Sequence, residues 1–133
     1  MFNSSNEWID IPAGTVTLEP GGYLPAPTTF RVEPFAIARY PVTNELYARF
    51  IEAGGYNHQE WWCGQGWRMR ERQGWTEPRY WDSPHWTRPD CPVVGVSWFE
   101  AMAFCRWWGS VLNRTITLPT EQQWQRAAQG DDG

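Results

Sequence analysis

Two capping boxes constrain this chain more than any other feature. Ser97-x-x-Glu100 and Thr120-x-x-Gln123 each set a hydroxyl where it can accept from a backbone N–H three residues on. Each also sets a Glu or Gln where it can reach back to the cap's own N–H. An extended stretch feeds each box, Pro92 to Val96 before the first and Thr115-Ile116-Thr117-Leu118 before the second. The first box predicts a helix over 97–108, with Ala101, Phe104, Cys105 and Trp108 on one stripe and Gly109 as its end. On that reading Phe104 and Trp108 are buried. The second predicts a helix over 120–129 that presents Trp124 and Ala127-Ala128 and closes at Gly130.

Upstream, the pattern is of strands and one more helix. Residues 8–38 form a strand region. Trp8 to Leu18 alternates and ends in the Pro20-Gly21-Gly22 turn; Phe30 to Ala38 alternates again, with Phe30, Val32, Phe35 and Ile37 toward a core and Pro34 marking an edge or break. Thr43 is the expected N-cap of a helix over 43–53, stopped by Gly54-Gly55, with Leu46, Tyr47, Phe50 and Ile51 on one face.

Residues 55–91 show no lasting period and hold six of the eleven tryptophans, mixed with Gly, Pro and Arg. A segment so rich in aromatics is not disordered, because disorder goes with aromatic depletion. It reads as a long, largely irregular, ordered excursion, and such segments are commonly functional. The candidate ligand-binding residues are Trp61, Trp62, Trp67, Arg68, Trp75, Trp81 and Trp86, a set suited to a peptide, protein or small-molecule ligand. The competing reading makes most of these indoles a satellite core that pins the loop.

Composition excludes several classes. A length of 133 residues allows one domain at most, and a net charge of −4 argues against nucleic-acid and anionic-membrane partners. No apolar run approaches the ~18 residues of a membrane span. Met1 to Ser5 lacks the basic and apolar regions of a secretory signal, so the expected location is cytoplasmic. In that setting the sequons at Asn3 and Asn113 are chance matches, and three cysteines do not make a disulfide framework. All eleven basic residues are Arg, which stacks on aromatic faces and forks onto carboxylates.

Four blocks, in order, resemble the formylglycine-generating enzyme (FGE)/sulfatase-modifying-factor family. They are Trp8-Ile9-Asp10-Ile11-Pro12-Ala13-Gly14, Phe35 to Asn44, Pro92 to Trp107, and Leu118-Pro119-Thr120-Glu121-Gln122-Gln123-Trp124. The chain departs from the family where Leu18-Glu19-Pro20-Gly21 replaces a Met-Gly pair, where Thr117 stands for a common Arg, and where Gln122, Gln123 and Gln125 replace acidic residues. The resemblance implies an α+β, C-type-lectin-like fold with little regular secondary structure, represented here by its N-terminal part. It also implies that a formylglycine-generating enzyme's reactive cysteine pair, its copper site and a structural calcium belong to a C-terminal part.

Two functions follow from the resemblance. One is a non-catalytic recognition module. The other is the N-terminal part of a copper- and oxygen-dependent oxidase that converts a sulfatase cysteine to formylglycine, completed by a C-terminal segment or polypeptide. Either is compatible with a fragment that needs its complement. An iron-dependent sulfoxide synthase shares the fold but needs a further helical domain with histidine ligands, and nothing before Trp8 supplies one.

Within the chain the chemistry is sparse. Cys105 is either a thiol that pairs with a downstream cysteine, as that position does in some family members, or a small buried hydrophobe. His58, Cys63, His85 and Cys91 are zinc-type ligands at no standard spacing, so no metal site is expected from them. Glu100 and Glu121 could be paired acid–base carboxylates, but capping accounts for both. Asp131-Asp132 reads as a solvated tail. No catalytic residue is expected in the chain.

Overall fold

The computed structural model describes residues 8–22 and 24–129. Asn3, Gly130 and Asp131-Asp132, all considered above, lie outside them. The chain divides into two compact units, one made of residues 1–40 with 119–133, the other of residues 41–118.

The first unit contains two antiparallel pairs and a helix. β1 (Trp8–Ile11) pairs with β4 (Phe35–Ala38), with Ile9 opposite Ile37. β2 (Gly14–Leu18) pairs with β3 (Thr28–Val32), with Val16 opposite Phe30. Alternation sends Val16, Leu18 and Val32 inward, while Thr17 and Thr29 meet across the outer face at 2.8 Å. Phe30, Phe35 and Ile37 are only half-buried.

The last helix, Glu121–Gln129, packs on β2 and β3 and starts with the expected box. The Thr120 N–H donates to Gln123 Oε1 at 2.9 Å, and the Gln123 N–H to Thr120 Oγ1 at 3.1 Å. Its buried residue is Arg126, not Trp124, which is 64% exposed. The guanidinium donates to the carbonyls of Pro12 and Ala13 at 3.1 and 3.3 Å. Gly14 makes room for it, since a Cβ there would sit 2.5 Å from the guanidinium carbon. A cation holding backbone oxygens is thus the buried anchor of this helix.

The second unit is helical. α1 (Asn44–Glu52) is capped by Thr43, whose hydroxyl accepts from the Leu46 N–H at 3.2 Å. Leu46, Tyr47 and Phe50 are buried, as their spacing requires. Two 3₁₀ turns follow, Gly55–Asn57 and Gln59–Trp61, and then α2 (Gly64–Gln73), capped by the Cys63 sulfur. This corrects the expectation of a largely irregular segment for 55–73, while 74–91 carries no helix or strand. The sequence of α2, GQGWRMRERQ, carries no apolar stripe because the helix buries only Gly66, so periodicity had nothing to register.

α3 (Trp98–Leu112) is the centre of this unit and carries the full Ser97/Glu100 box. Ala103, Phe104, Cys105, Trp107, Trp108 and Gly109 are buried, a wider band than the predicted stripe. The helix does not end at Gly109. It runs to Leu112 and closes on Asn113, whose φ of 55° is left-handed. Gly109 instead admits the returning chain. The Arg114 N–H donates to the Gly109 carbonyl at 2.9 Å, and a Cβ on Gly109 would lie 2.5 Å from the Arg114 oxygen. Residues 115–118, expected to be β-prone, pair with no strand among the described residues.

Candidate functional site

Three side chains from α1, the first 3₁₀ turn and α3 converge in the interior of the helical unit. Tyr47 and Tyr56 join hydroxyl to hydroxyl at 2.7 Å, and Tyr56 donates onward to Glu100 Oε2 at 2.6 Å. The other carboxylate oxygen accepts from the Ser97 N–H at 2.8 Å. One glutamate therefore caps α3 and anchors a buried tyrosine pair. Only 3% of Glu100 is exposed, so it is no solvent-facing acid, and its role needs no second carboxylate. Burial pushes both phenols far above their ordinary range, and Glu100 adds to the effect on each. Both remain protonated at neutral pH.

The indoles of 55–91 divide into core and surface. Trp62 is buried, packs on Tyr56 and Trp67, and donates its N–H to the Gly55 carbonyl at 2.9 Å. Its contact area goes to the core, which leaves it no open face for a ligand. Trp61, Trp67, Trp75 and Trp81 are half-buried. Arg70 stands 5.2 Å over the Trp67 ring and donates to the Tyr56 carbonyl at 2.7 Å, and Arg79 stands 5.6 Å over the Tyr80 ring, while Arg68 is exposed. Trp86 is 48% exposed and packs edge-on to His85 and beside the exposed Tyr80.

Sequence reasoning missed the residue that fixes the far end of the excursion. Asn44 is buried, and its amide donates to the carbonyls of Trp86 and Arg88 at 2.9 and 2.8 Å. The adjacent backbone N–H groups of Asn44 and Glu45 donate to the carbonyls of Cys91 and Pro89. The orphan donors at the start of α1 thus hold the 86–91 loop. Asn44→Ala should cost about 1–3 kcal/mol, because a buried amide that makes two part-buried hydrogen bonds to the loop is removed. Denaturant titration checks this, and a cost within about 0.5 kcal/mol would show the latch to be dispensable. The Thr43-Asn44 pair at a helix start was the available signal, but nothing local in it named a partner 42 residues away.

Beside that latch runs a groove of about 390 Å³ between α1 and the loop, lined by Glu45, Arg49, Glu52, Trp81, Thr87 and Pro89 among others. A second hollow of about 500 Å³ lies along the end of α3, with Cys105 in its lining beside Arg106, Ser110 and Arg114. Burial pushes the Cys105 thiol from 9.0 up to about 11, which favours the inert reading. A folded value above the unfolded one contributes stability that is complete below pH 9 and is lost as pH rises through 11. Parent protein should therefore lose stability between pH 9 and 11 more steeply than Cys105→Ala in thermal melts. Equal slopes would mean that the thiol is hydrated.

All three cysteines are free, and no group of three or more His, Cys, Asp or Glu is poised to hold a metal among the described residues. His58, Cys63, His85 and Cys91 are thus not gathered into such a group. No described helix is long and apolar enough to cross a membrane.

Small antiparallel sheets with a helical unit around a capped central helix define an α+β domain. The chain belongs to the FGE-sulfatase family: residues 2–133 match the sulfatase-modifying factor enzyme 1-like domain. Among its relatives, the hercynine oxygenase of Mycobacterium tuberculosis is 40% identical over 110 residues, covering 75% of this chain and 24% of the relative. The formylglycine-generating enzyme of Thermomonospora curvata is 33% identical over 135 residues, covering 77% and 39%. An inactive Cα-formylglycine-generating enzyme 2 from Bos taurus is 30% identical, covering 74% and 39%. The chain thus spans about a quarter to two fifths of the length of these curated relatives.

Proposed function

We propose that this chain is part of an oxygen-dependent enzyme of the family, with hercynine as the first substrate to test and a protein cysteine as the second. The observation that carries the reading is the 40% identity to a hercynine oxygenase across three quarters of the chain. The recognition-module reading ranks below it, since oxygenase and formylglycine-generating relatives outscore the relative named inactive. A chain covering 24% of the hercynine oxygenase gives no ground to exclude the iron-dependent sulfoxide synthase from what stands before Trp8.

The reading extends to the fold and the partner. We take the domain as C-type-lectin-like. The remainder of the enzyme, on this polypeptide or another, is the partner that supplies the metal donors. In the family, a bound metal activates oxygen. The residues of this chain supply the packed scaffold beneath that chemistry, and no step is assigned to a metal here. The groove beside α1, with Trp81 in its wall and Trp86 on the same loop, is the proposed place for the aromatic ligand contacts. Trp61, Trp67, Trp75 and Arg68 stay in the candidate set.

Oxygen consumption by the intact protein tests the reading. Uptake should be stimulated by hercynine with a thiol co-substrate and not by a cysteine peptide alone. Stimulation by the cysteine peptide only would move the assignment to formylglycine generation. Tight binding of either compound without uptake would restore the recognition module.

A further inference from the structure

Five oxidisable rings form an unbroken file through the helical unit. Trp81 lies 6.2 Å from Tyr47, Tyr47 lies 6.4 Å from Tyr56, Tyr56 lies 5.6 Å from Trp62, and Trp62 lies 6.2 Å from Trp67, centroid to centroid. Trp81 opens on the α1 groove, whereas Tyr47 and Tyr56 are 1% and 2% exposed. Indoles and phenols are the side chains most readily oxidised by one electron, and ring separations of this size allow rapid electron transfer.

The file has a natural resting point. Oxidising a phenol releases its proton, and Tyr56 already donates that proton to Glu100 Oε2 at 2.6 Å. Glu100 can take it without surrendering the α3 cap, because Oε1 separately accepts from Ser97. At the other end the Arg70 guanidinium stands 5.2 Å over Trp67. A fixed cation there disfavours an indole radical cation and so turns the oxidising equivalent back toward the tyrosines.

We propose that Tyr56 is a one-electron redox site, served from the groove by Trp81 through Tyr47, with Glu100 as its proton acceptor. A one-electron oxidant takes an electron from Trp81. Tyr56 refills Trp81 through Tyr47 while its O–H bond breaks and the proton passes to Glu100. The products are the reduced oxidant, a neutral tyrosyl radical and a carboxylic acid. A thiolate reductant, itself becoming a thiyl radical, returns the electron, and Glu100 returns the proton to the Tyr56 oxygen. The oxygen-dependent reading supplies the physiological oxidant, as a strong one-electron oxidant formed during oxygen reduction, and the inference rests on that reading for this point alone. The file would protect the protein from such an oxidant or store its equivalent.

Flash photolysis of the whole purified protein with tris(bipyridine)ruthenium and a sacrificial electron acceptor tests this without any oxygen chemistry. The expected result is a long-lived tyrosyl radical in EPR and near-ultraviolet absorption, formed more slowly in deuterated water. Tyr56→Phe should remove the long-lived component, since Tyr47 has no carboxylate to take its proton, leaving short-lived signal from the remaining tyrosines, exposed Tyr40 and Tyr80 among them. Trp81→Phe should slow its appearance. A long-lived radical of undiminished yield in Tyr56→Phe, or unchanged kinetics in Trp81→Phe, overturns the proposal. If Tyr56→Phe does not fold, Glu100→Gln decides. It keeps a carbonyl for Ser97 but cannot take the proton, so an unaltered radical in it is equally fatal. Failure to consume oxygen with either hercynine or a cysteine peptide would sink the enzymatic reading and leave this result standing.

Discussion

Phe104→Ala should destabilise the protein by about 3–5 kcal/mol, the usual cost of truncating a core phenylalanine. Phe104 is 2% exposed and sits at the centre of the aromatic interior. Its ring stacks on Tyr47 at 5.4 Å and meets Phe50, Trp107 and Trp108 at 5.5–5.8 Å. Rings held on several sides collapse poorly into a cavity, which places the expected cost toward the upper part of the range. Chemical denaturation monitored by tryptophan fluorescence gives the number. A loss below about 1 kcal/mol would mean that this face of α3 is not core.

Glu100→Ala should be of similar size, about 3–5 kcal/mol, for a different reason. It removes the carboxylate that closes the capping box and leaves the Tyr56 hydroxyl without its acceptor in a buried setting. Glu121→Ala is the control. That side chain is exposed in the first turn of its helix, so its loss should stay within about 0.5 kcal/mol. Equal effects would remove the distinction between a glutamate exposed in the first turn of a surface helix and one that organises a core.

The capping boxes were legible because their signal is local: two side chains and two N–H groups within four residues. α1 was legible for the same reason, with a hydroxyl cap and an apolar face on nine residues. α2 was not, because a helix that buries a single glycine against Phe99 leaves no hydrophobic period. Gly109 misled because glycine serves both as a helix stop and as a gap for a second backbone, and only the fold shows which. Arg126 and Asn44 were hidden for a shared reason. Each satisfies carbonyls more than 40 residues distant, and polar residues at such positions look like surface until their partners are known.

The candidate site was legible in part. The indole-rich segment was found, but the division of its tryptophans between core and groove depends on long-range packing. Glu100 was singled out for its cap, while its bond to Tyr56 joins elements 44 residues apart.

We have proposed that the chain is part of an oxygen-dependent enzyme with hercynine as the first substrate to test. Incubating the intact protein with hercynine, a thiol and isotopically labelled dioxygen, then weighing the products by mass spectrometry, tests it most directly. The account predicts label in an organic product derived from hercynine. Hercynine recovered unchanged, with label only in water or nowhere, would contradict it.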